Sequence, residues 1–246
     1  MRTILTYHSI DPSGSVISVD PDTFRRQMRW LSQSGVAVLP LRDLPTATGN
    51  AVALTFDDGF ANFADVALPL LADLRLPATL FVVTARVGMT NDWELPAGRS
   101  RIPTLPLLDW GGVAVAAERR IEIGAHGRHH LRLAAASAGD LSDETIGAAS
   151  DIEREIGTTP SAFAYPYGDW NPASAVKVSE VYRASCTTDF RLLSESDHAH
   201  NLPRLDMYYF REAGLLEAFG TPRFARYIVA RSVGRSIRKS LLRAFD

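Results

Sequence analysis

The sequence has little of the residues that mark several classes of protein. Its 246 residues include one cysteine, Cys186, which excludes an intramolecular disulfide framework and a zinc knuckle built from cysteines. It contains no stretch of about 18 apolar residues that would be long enough to span a bilayer. The first residues form no apolar segment of the length of a secretory signal. We therefore expect a cytoplasmic protein that is not exported by a cleaved signal.

The net charge is also small. Lys and Arg number 26 and Asp and Glu number 28, so the formal net charge is −2, which argues against a dedicated nucleic-acid binder. The charge is unevenly distributed, because residues 222–246 contain seven basic residues and a single acidic one, Asp246. The rest of the chain is correspondingly acidic. Hydrophobic residues make up 46% of the sequence, an ordinary value for a globular protein.

Short apolar runs alternate with helix-like segments along most of the chain. Helices are predicted over residues 22–34, 62–74 and 142–156 and from Pro172 onward, and a loop over residues 86–106 is expected to cover one end of the domain. Alternation of this kind predicts a parallel α/β barrel of seven or eight strands, with a doubly wound sheet as the alternative. The predicted strands are Thr3–Tyr7, Val36–Leu39, Val52–Phe56, Ala78–Val83, Arg120–Gly124, Ala162–Tyr165, Tyr182–Cys186 and Leu202–Leu205.

The predicted helix over residues 142–156 has a recognisable start. Ser142 is the expected N-cap, and Asp143 and Glu144 follow it in the first turn. Negative charge at this end of a helix interacts favourably with the helix dipole. The pattern therefore assigns both acids to an ordinary first turn.

Two adjacent carboxylates follow a hydrophobic strand in Leu-Thr-Phe-Asp-Asp-Gly, residues 54–59. Neighbouring side chains at a strand end point in different directions, so that one carboxylate can face a metal and the other a water. Gly59 allows the backbone to turn sharply at this point. The alternative is a common strand-to-helix turn in which Asp58 caps the helix.

Three of the six histidines fall within five residues in Gly-Ala-His-Gly-Arg-His-His, residues 124–130. Imidazole is the commonest neutral metal ligand, and two imidazoles with one carboxylate form a typical catalytic site with open positions. His126 and His130 are the predicted ligand pair. On spacing alone, His129 can take the place of His130.

Two further strand ends carry residues suited to the same site. His8 follows the first strand, and strand ends in α/β barrels converge on one mouth, so we expect His8 beside the paired aspartates and the histidine cluster. The segment 163–170, Phe-Ala-Tyr-Pro-Tyr-Gly-Asp-Trp, follows another strand. Its residues Tyr165, Tyr167 and Trp170 suit a groove wall that stacks on sugar rings. An aromatic core edge followed by a turn is the alternative.

Taken in order, these motifs resemble the polysaccharide deacetylase (NodB-homology) family of carbohydrate esterases. The resemblance rests on Thr-Phe-Asp-Asp-Gly at 55–59, on His-x-x-x-His at 126–130 and on Tyr-Pro-Tyr-Gly at 165–168, and it covers roughly residues 1–206. It implies a distorted (β/α) barrel that hydrolyses N-acetyl groups of amino sugars with one divalent metal ion. The implied substrate is an N-acetylated polysaccharide or glycolipid.

The resemblance also implies a role for each residue of the motifs. Asp57 corresponds to the general base, and Asp58, His126 and His130 correspond to the metal ligands. The backbone N–H of Tyr167 would hold the oxyanion, beside the aromatic groove wall. The His₂Asp ligand set leaves Zn, Co, Ni and Mn open, and we place zinc first.

The sequence departs from the common family pattern at two positions. Many members have an arginine that steadies the base where this chain has Ala164, and Arg204 is a plausible replacement from another strand. Many members also have a late Leu-x-x-His that supplies the general acid, and this chain lacks it. The branch that resembles the poly-N-acetylglucosamine deacetylases has a circularly permuted barrel with an early Tyr-His instead. Tyr7 and His8 match that pair, which makes His8 the expected acid.

The basic C-terminal segment is not explained by this resemblance. We divide the chain into a catalytic domain, residues 1–221, and a basic amphipathic helix, residues 222–246. The helix is expected either to pack on the barrel or to contact the inner surface of an anionic membrane. The apolar residues that recur every four positions are Val229, Val233, Ile237, Leu241 and Phe245.

Two other functions remain open from the sequence. One is hydrolysis of a different amide on the same scaffold, such as the formyl group of a lipid-linked amino sugar or a ring amide. The other is a catalytically silent glycan-binding protein. Retention of the full set of two aspartates and two histidines argues against the silent protein.

Overall fold

The computed structural model describes residues 1–93, 102–197 and 199–243, and side chains as far as residue 235. Apolar runs form the strands of a parallel sheet, because such strands are buried on both faces. The strands within these ranges are β1 (Arg2–Tyr7), β2 (Ser9–Ile10), β3 (Ser18–Val19), β4 (Ala37–Val38), β5 (Ala51–Phe56), β6 (Thr79–Val82), β7 (Glu122–Ala125), β8 (Ala162–Ala164), β9 (Ala184–Cys186) and β10 (Arg204–Asp206).

Seven of these strands form a barrel. They lie in the order β10-β1-β5-β6-β7-β8-β9, and every neighbouring pair is parallel. The circle is completed beside β10, where the Leu202 N–H donates to Ser185 O at 2.8 Å and the Thr187 N–H donates to Leu202 O at 2.8 Å. An eighth strand, β4, pairs with the beginning of β5, while β2 and β3 form a small sheet of their own. All eight strands predicted from the sequence are confirmed.

The inside of the barrel is filled mainly by small side chains around one large one. Gly124 lies opposite Phe81, and a Cβ at Gly124 would come within 2.5 Å of the Phe81 ring. The missing side chain therefore makes room for the phenyl group, as close packing requires. The buried residues of this interior cluster include Ile4, Ala51, Ala53, Phe81, Ala162, Ala164, Cys186 and Leu202.

A second apolar layer lies between the strands and the surrounding helices. It joins outward-facing strand residues such as Leu54 and Leu80 to helix residues such as Phe24, Val113 and Ile152. Burial of these side chains fixes the helices on the barrel. Within the described ranges, the helices are α1 (Pro21–Gln33), α2 (Leu68–Asp73), α3 (Trp110–Glu118), α4 (Ala138–Ser142), α5 (Ala148–Ile156), α6 (Pro172–Val181) and α7 (Pro222–Arg243).

The predicted helix over residues 142–156 is wrong at its beginning. The helical segment begins at α4, where Ser137 is the N-cap and forms a reciprocal capping box with Asp140. A π-type turn, Asp143–Gly147, then connects α4 to α5. Ser142 therefore lies inside the segment, and Glu144 lies fully buried in the π-type turn instead of in the first turn of the helix. Sequence reasoning also missed β2, β3 and α3.

Helix α7 packs on the barrel through its first turns. Phe224 lies 5.6 Å from the ring of Phe210 and 5.1 Å from that of Phe219, and Ile228 is also buried. By contrast, Val229 and Val233 are exposed. The described residues of the apolar stripe predicted from the sequence, Val229 and Val233, therefore do not belong to the face that packs. The side chains of Ile237 and Leu241, and residue Phe245, lie outside the described part of the chain.

Two remaining predictions concern the loop at 86–106 and membrane spans. Residues 94–101 of that loop lie outside the described ranges. On its flanks, Asn91 accepts a hydrogen bond from Leu105 N at 2.7 Å and donates one to Pro103 O at 3.1 Å, so the two ends of the loop are tied together. Among the helices described, none is long and apolar enough to cross a membrane.

Candidate active site

Polar side chains from several strand ends meet at the carboxyl end of the barrel. Tyr7 O accepts a hydrogen bond from Asp57 N at 2.9 Å, and Val82 O accepts one from His126 N at 2.8 Å. These bonds extend the strand pairing by one residue and fix where Asp57 and His126 leave the sheet. His8 is the residue directly after β1. The structure thus brings together side chains that the sequence spreads over more than 100 positions.

Asp58, His126 and His130 form a buried three-residue cluster. Asp58 Oδ1 lies 3.5 Å from His126 Nε2 and 3.4 Å from His130 Nε2. This oxygen is buried and accepts no well-aligned hydrogen bond from the described residues. A buried carboxylate oxygen without a partner is costly, and a cation held between the three groups would satisfy it. The donor set and its geometry therefore fit a divalent metal ion.

The ring of His126 is oriented for this purpose. Its Nδ1 lies 2.7 Å from Ala164 O, so Nδ1 donates its proton to the carbonyl and Nε2 keeps a lone pair facing Asp58. A bond of this kind, made by the ring nitrogen that does not face the metal, sets the tautomer of metal-binding histidines. Burial lowers the pKa of His126 to about 4, against the opposing effect of the nearby aspartates. The ring is therefore neutral at pH 7, as a metal ligand must be.

Asp57 is held by Arg204 through a bidentate ion pair. Arg204 Nη1 donates to Asp57 Oδ1 and Arg204 Nη2 donates to Asp57 Oδ2, each at 2.7 Å. Arg204 itself is fixed by donation from Nε to Thr187 O at 2.9 Å. Burial opposes ionisation of Asp57, but the Arg204 guanidinium and the neighbouring imidazoles together outweigh that effect and hold the pKa of Asp57 well below its usual range. Asp57 is therefore a carboxylate at neutral pH.

His8 lies on another side of Asp57. Its Nε2 is 3.8 Å from Asp57 Oδ2, and the side chain is partly exposed to the cavity.

Asp206, at the end of β10, was not singled out in the sequence. Burial raises the pKa of Asp206, and electrostatic interactions with His8 and Arg235 counteract that effect. The strand-end position of Asp206 was the signal that could have found it.

Three residues of this region have left-handed backbone conformations. The φ angles are 73° at Asp58, 63° at His130 and 60° at Tyr167. Each such angle on a non-glycine residue costs about 1–3 kcal/mol, and such strain concentrates at functional sites. Tyr167 also packs edge-on against His130, with 4.5 Å between ring centroids. The strained turns therefore position two cluster residues and one wall of the cavity.

The site opens into a cavity of about 250 Å³. Tyr165 and Tyr167 line it, as the sequence motif predicted. The other predicted site residues that line it are His8, Asp57, Asp58, His126 and His130. Arg204 does not line it, because it lies behind Asp57. Trp170 does not line it. Its indole is partly exposed and lies 6.4 Å from the ring of Tyr165. Lining residues that sequence reasoning missed include Val16, Ile17, Asn91, Trp93 and Thr188.

These missed residues lie in loops that carry no recognisable motif. Trp93 is stacked on His130 with 4.4 Å between ring centroids, although the two are far apart in sequence. Thr188 donates to Tyr167 O at 3.3 Å. Neither contact follows a periodic pattern, so only the tertiary fold reveals it.

His129, the alternative ligand, points away from the cluster. Its ring is 45% exposed, and Nδ1 lies 3.0 Å from Glu144 Oε1. The choice between His129 and His130 is thus made by geometry, because the left-handed turn at His130 directs that ring towards Asp58.

Comparison with protein families gives one match over more than half of the chain. The profile described as "Polysaccharide deacetylase" matches residues 45–182. This range contains the paired aspartates, the histidine cluster and the Tyr-Pro-Tyr-Gly segment. His8 and Arg204 lie outside it.

Individual relatives are distant. The poly-beta-1,6-N-acetyl-D-glucosamine N-deacetylase of Escherichia coli is 23% identical over 82% of this chain, but the match covers only 36% of that protein. Among solved structures, IcaB from Ammonifex degensii is 19% identical with a TM-score of 0.71, covering 83% of this chain and 91% of that one. The Streptococcus pyogenes deacetylase PplD, in complex with acetate, is 22% identical with a TM-score of 0.70 and the same coverages. These structures share the barrel fold.

Proposed function

The chain belongs to the polysaccharide deacetylase family, and we propose that it is a metal-dependent hydrolase that removes N-acetyl groups from amino sugars of a glycan. The observation that carries this proposal is the pairing of Asp57 with the buried Asp58, His126 and His130 cluster in one cavity. One carboxylate is held for proton transfer and its neighbour faces two imidazoles. A base beside a metal-binding cluster suits metal-assisted hydrolysis of an amide.

Asp58, His126 and His130 would hold the divalent metal ion. When bound, the ion would polarise the amide carbonyl and lower the pKa of a water at the site. Zinc is our first candidate, because a neutral His₂ and carboxylate set suits it, although cobalt, nickel and manganese accept the same ligands. The buried and unsatisfied Asp58 Oδ1 supports occupancy of this position by a cation.

Asp57 is proposed as the general base. The ion pair with Arg204 keeps it ionised at neutral pH and fixes both of its oxygens. A fixed carboxylate accepts a proton from an attacking water without reorganising first. Because Asp57 Oδ2 also lies 4.0 Å from His126 Nε2, the accepting oxygen is beside the metal cluster.

His8 is proposed as the general acid, which donates a proton to the departing amine nitrogen. Its position 3.8 Å from Asp57 Oδ2 places it in the same cavity as the base. The backbone N–H of Tyr167 is proposed as an oxyanion donor, a contribution that is typically worth about 2.7–4 kcal/mol. The aromatic rings of Tyr167 and Trp93 offer a wall against which a sugar ring can pack.

The substrate proposal follows from the relatives and from the size of the cavity. Poly-β-1,6-N-acetylglucosamine is the polymer named for the Escherichia coli relative, and we propose an N-acetylated glycan or glycolipid of related type for this chain. A cavity of about 250 Å³ suits one sugar residue with its acetamido group. Removal of a different acyl group from the same nitrogen needs the same base, acid and metal.

Acetate release tests the proposal directly. The full-length protein, loaded in turn with each candidate metal, is incubated with acetylated chitooligosaccharides and β-1,6-linked N-acetylglucosamine oligomers. Acetate formation by the wild type and not by Asp57→Asn supports the assignment. Formate from an N-formyl sugar would indicate the alternative amidase. Glycan binding without metal uptake or hydrolysis would indicate a silent binding protein.

We also propose that α7 brings the enzyme to an anionic membrane surface on the cytoplasmic side. Its packed face is occupied by Phe224 and Ile228, which leaves Val229 and Val233 exposed on another face. Exposed arginines accompany these valines on the helix, at Arg223, Arg226 and Arg231. An apolar stripe flanked by cations favours the interface of an anionic bilayer.

A further inference from the structure

We propose that Glu144 is a positioning residue for the metal cluster, because its buried carboxylate holds the loop that joins His126 to His130. This inference rests on the proposed metal site. Glu144 is fully buried and belongs to neither the cavity lining nor the ligand set. It therefore acts through the loop backbone and not on a substrate.

Within the described part of the chain, the hydrogen bonds of the Glu144 carboxylate all go to that loop. Oε2 accepts hydrogen bonds from Arg128 N at 3.0 Å and from Leu131 N at 3.3 Å. Oε1 accepts one from His129 N at 2.8 Å and lies 3.0 Å from the Nδ1 of the same residue. Three backbone donors that flank His130 thus converge on a single carboxylate. Such charge-assisted bonds are stronger than neutral ones.

The carbonyl side of the loop is fixed as well. Gly127 O accepts a hydrogen bond from Thr84 N at 3.2 Å, and Arg128 O accepts one from Ala85 N at 2.9 Å. The loop is therefore clamped between the segment after β6 and Glu144. His126 lies at the start of this clamp and His130 lies inside it, so the clamp sets the separation of the two imidazoles.

Gly127 shows how closely the carboxylate approaches the backbone. Its φ angle is +76°, and a Cβ added there would lie 2.3 Å from Glu144 Oε2. Any side chain at this position would push the carboxylate away from the donors it serves. The contact between the Glu144 carboxylate and the loop therefore depends on glycine at position 127.

The π-type turn Asp143–Gly147 contains this carboxylate. Asp143, the preceding residue, is partly exposed and bonds instead to the side chain of Arg128, at 2.6 Å from Nη1. Of these two neighbouring acids, Glu144 accepts hydrogen bonds from the loop backbone and Asp143 accepts one from an arginine side chain. Asp143 is accordingly a matched control for Glu144.

His129, Asp143 and Glu144 also lie close enough together to suggest a second metal site. The existing bonds argue against that use. Both oxygens of Glu144 already accept backbone hydrogen bonds, and Asp143 Oδ1 is paired with Arg128. A cation would have to displace these partners, whereas among the described residues Asp58 Oδ1 has no hydrogen-bond donor to displace. The arrangement is that of a loop anchor.

The test compares metal binding by the wild type with that by Glu144→Gln and Asp143→Asn. Cobalt affinity is measured by competition with a chelator, and the visible spectrum of the cobalt complex reports ligand geometry. Loss of a group that orients metal ligands without binding the metal typically weakens metal affinity 10–100-fold. We expect a weakening of that size and an altered spectrum for Glu144→Gln, with Asp143→Asn within about twofold of wild type. Glu144→Asp, which keeps the charge on a shorter side chain, should fall between the wild type and Glu144→Gln.

Gly127→Ala keeps the proposal testable if Glu144→Gln does not fold. It disturbs the same contact from the loop side and should also weaken cobalt binding and change the spectrum. Wild-type affinity and an unchanged spectrum in both variants would overturn the role of Glu144, even if both unfold at a lower temperature. Failure of the wild type to bind any divalent metal would overturn the proposed metal site as well.

Discussion

Arg204 donates one hydrogen bond to each carboxylate oxygen of Asp57, although 147 positions separate the two residues in the sequence. They are brought together because β10 and β5 both pair with β1, so their carboxyl ends are close neighbours on the barrel. Both side chains are buried. We propose that Arg204 supplies, from another strand, the contact to Asp57 that the family resemblance assigns to an arginine at the position of Ala164.

Replacing Arg204 with methionine should destabilise the protein by about 3–5 kcal/mol, because it leaves a buried carboxylate without its partner. The control is Arg191→Met. Arg191 makes an equally short bidentate pair with Asp197, but at the surface, where such pairs contribute about 0–1 kcal/mol. Urea unfolding of both variants measures the difference. Equal losses would show that Arg204 stabilises the fold no more than a surface arginine does.

Asp57→Asn should lower acetate release by at least about 10²-fold, because the amide cannot accept a proton, while metal content stays at the wild-type level. Asp58→Asn is its matched neighbour and should lose the metal. Atomic absorption after dialysis and an acetate assay distinguish the two variants. If Asp57→Asn also released its metal, the separation of base from ligand would be contradicted.

His8→Gln should lower kcat by about 10²–10⁴-fold without reducing metal affinity, because glutamine cannot donate a proton to the leaving amine. His129→Gln is the control. It removes another partly exposed histidine that contacts Glu144 outside the cavity, so its kcat should remain within a few-fold of wild type. Steady-state kinetics on an acetylated oligosaccharide provide both values, and an unimpaired His8→Gln would remove His8 from the mechanism.

The metal-free protein should lose stability between pH 6.5 and pH 4 because of His126. The pKa of His126 is about 4 in the folded protein and about 6.5 in an unfolded chain. The unfolded state therefore binds more protons in this window, so the stability contributed by the neutral ring is present above pH 6.5 and lost as the pH falls towards 4. The full loss is about 3 kcal/mol, which is the free energy that corresponds to this difference in pKa.

His126→Gln isolates this contribution from those of other groups. Urea unfolding of the chelator-treated wild type and of the variant, at intervals between pH 7 and pH 4.5, gives two stability curves. Their difference should shrink steadily as the pH falls. Parallel curves would mean that the folded protein takes up the proton on His126 as readily as the unfolded chain.

The sequence predicted the barrel strands well, because buried parallel strands are continuous apolar runs that local reading detects. It also indicated Asp57, Asp58, His126 and His8, since each follows such a run directly. Arg204 was predicted only through the family resemblance and a missing arginine. The local sequence pattern therefore predicts those site residues that directly follow a strand.

Residues that act from loops or turns were beyond that kind of reading. Glu144 fits the pattern of an acid in the first turn of a helix, and nothing local shows that a π-type turn directs it into the core. Trp93 stacks on His130 from a loop without periodicity. Helix α7 has two apolar faces, and either could pack on the barrel. Phe224 packs because its ring contacts those of Phe210 and Phe219, which are neighbours only in the folded protein.

Because the packed and exposed apolar residues of α7 are different, the membrane proposal can be tested without deleting the helix. Truncation at residue 222 would remove Phe224 and Ile228 from the core, so a loss of vesicle binding could reflect unfolding. Substitution of the exposed Val229 and Val233 by aspartate leaves the packed face intact. We expect the wild type to sediment with vesicles rich in anionic lipid and not with neutral ones, and the double variant to stay in solution.

Val176→Asp is the matched control for that experiment. Val176 is 60% exposed on α6, close to the 63% of Val229, but it lies outside the basic segment. It should bind vesicles as the wild type does. Arg226→Ser should weaken binding about fivefold, because each basic group near an anionic surface contributes about 1 kcal/mol. Equal sedimentation of all forms, or none with any lipid, would show that α7 has no such role and that its exposed valines are ordinary surface residues.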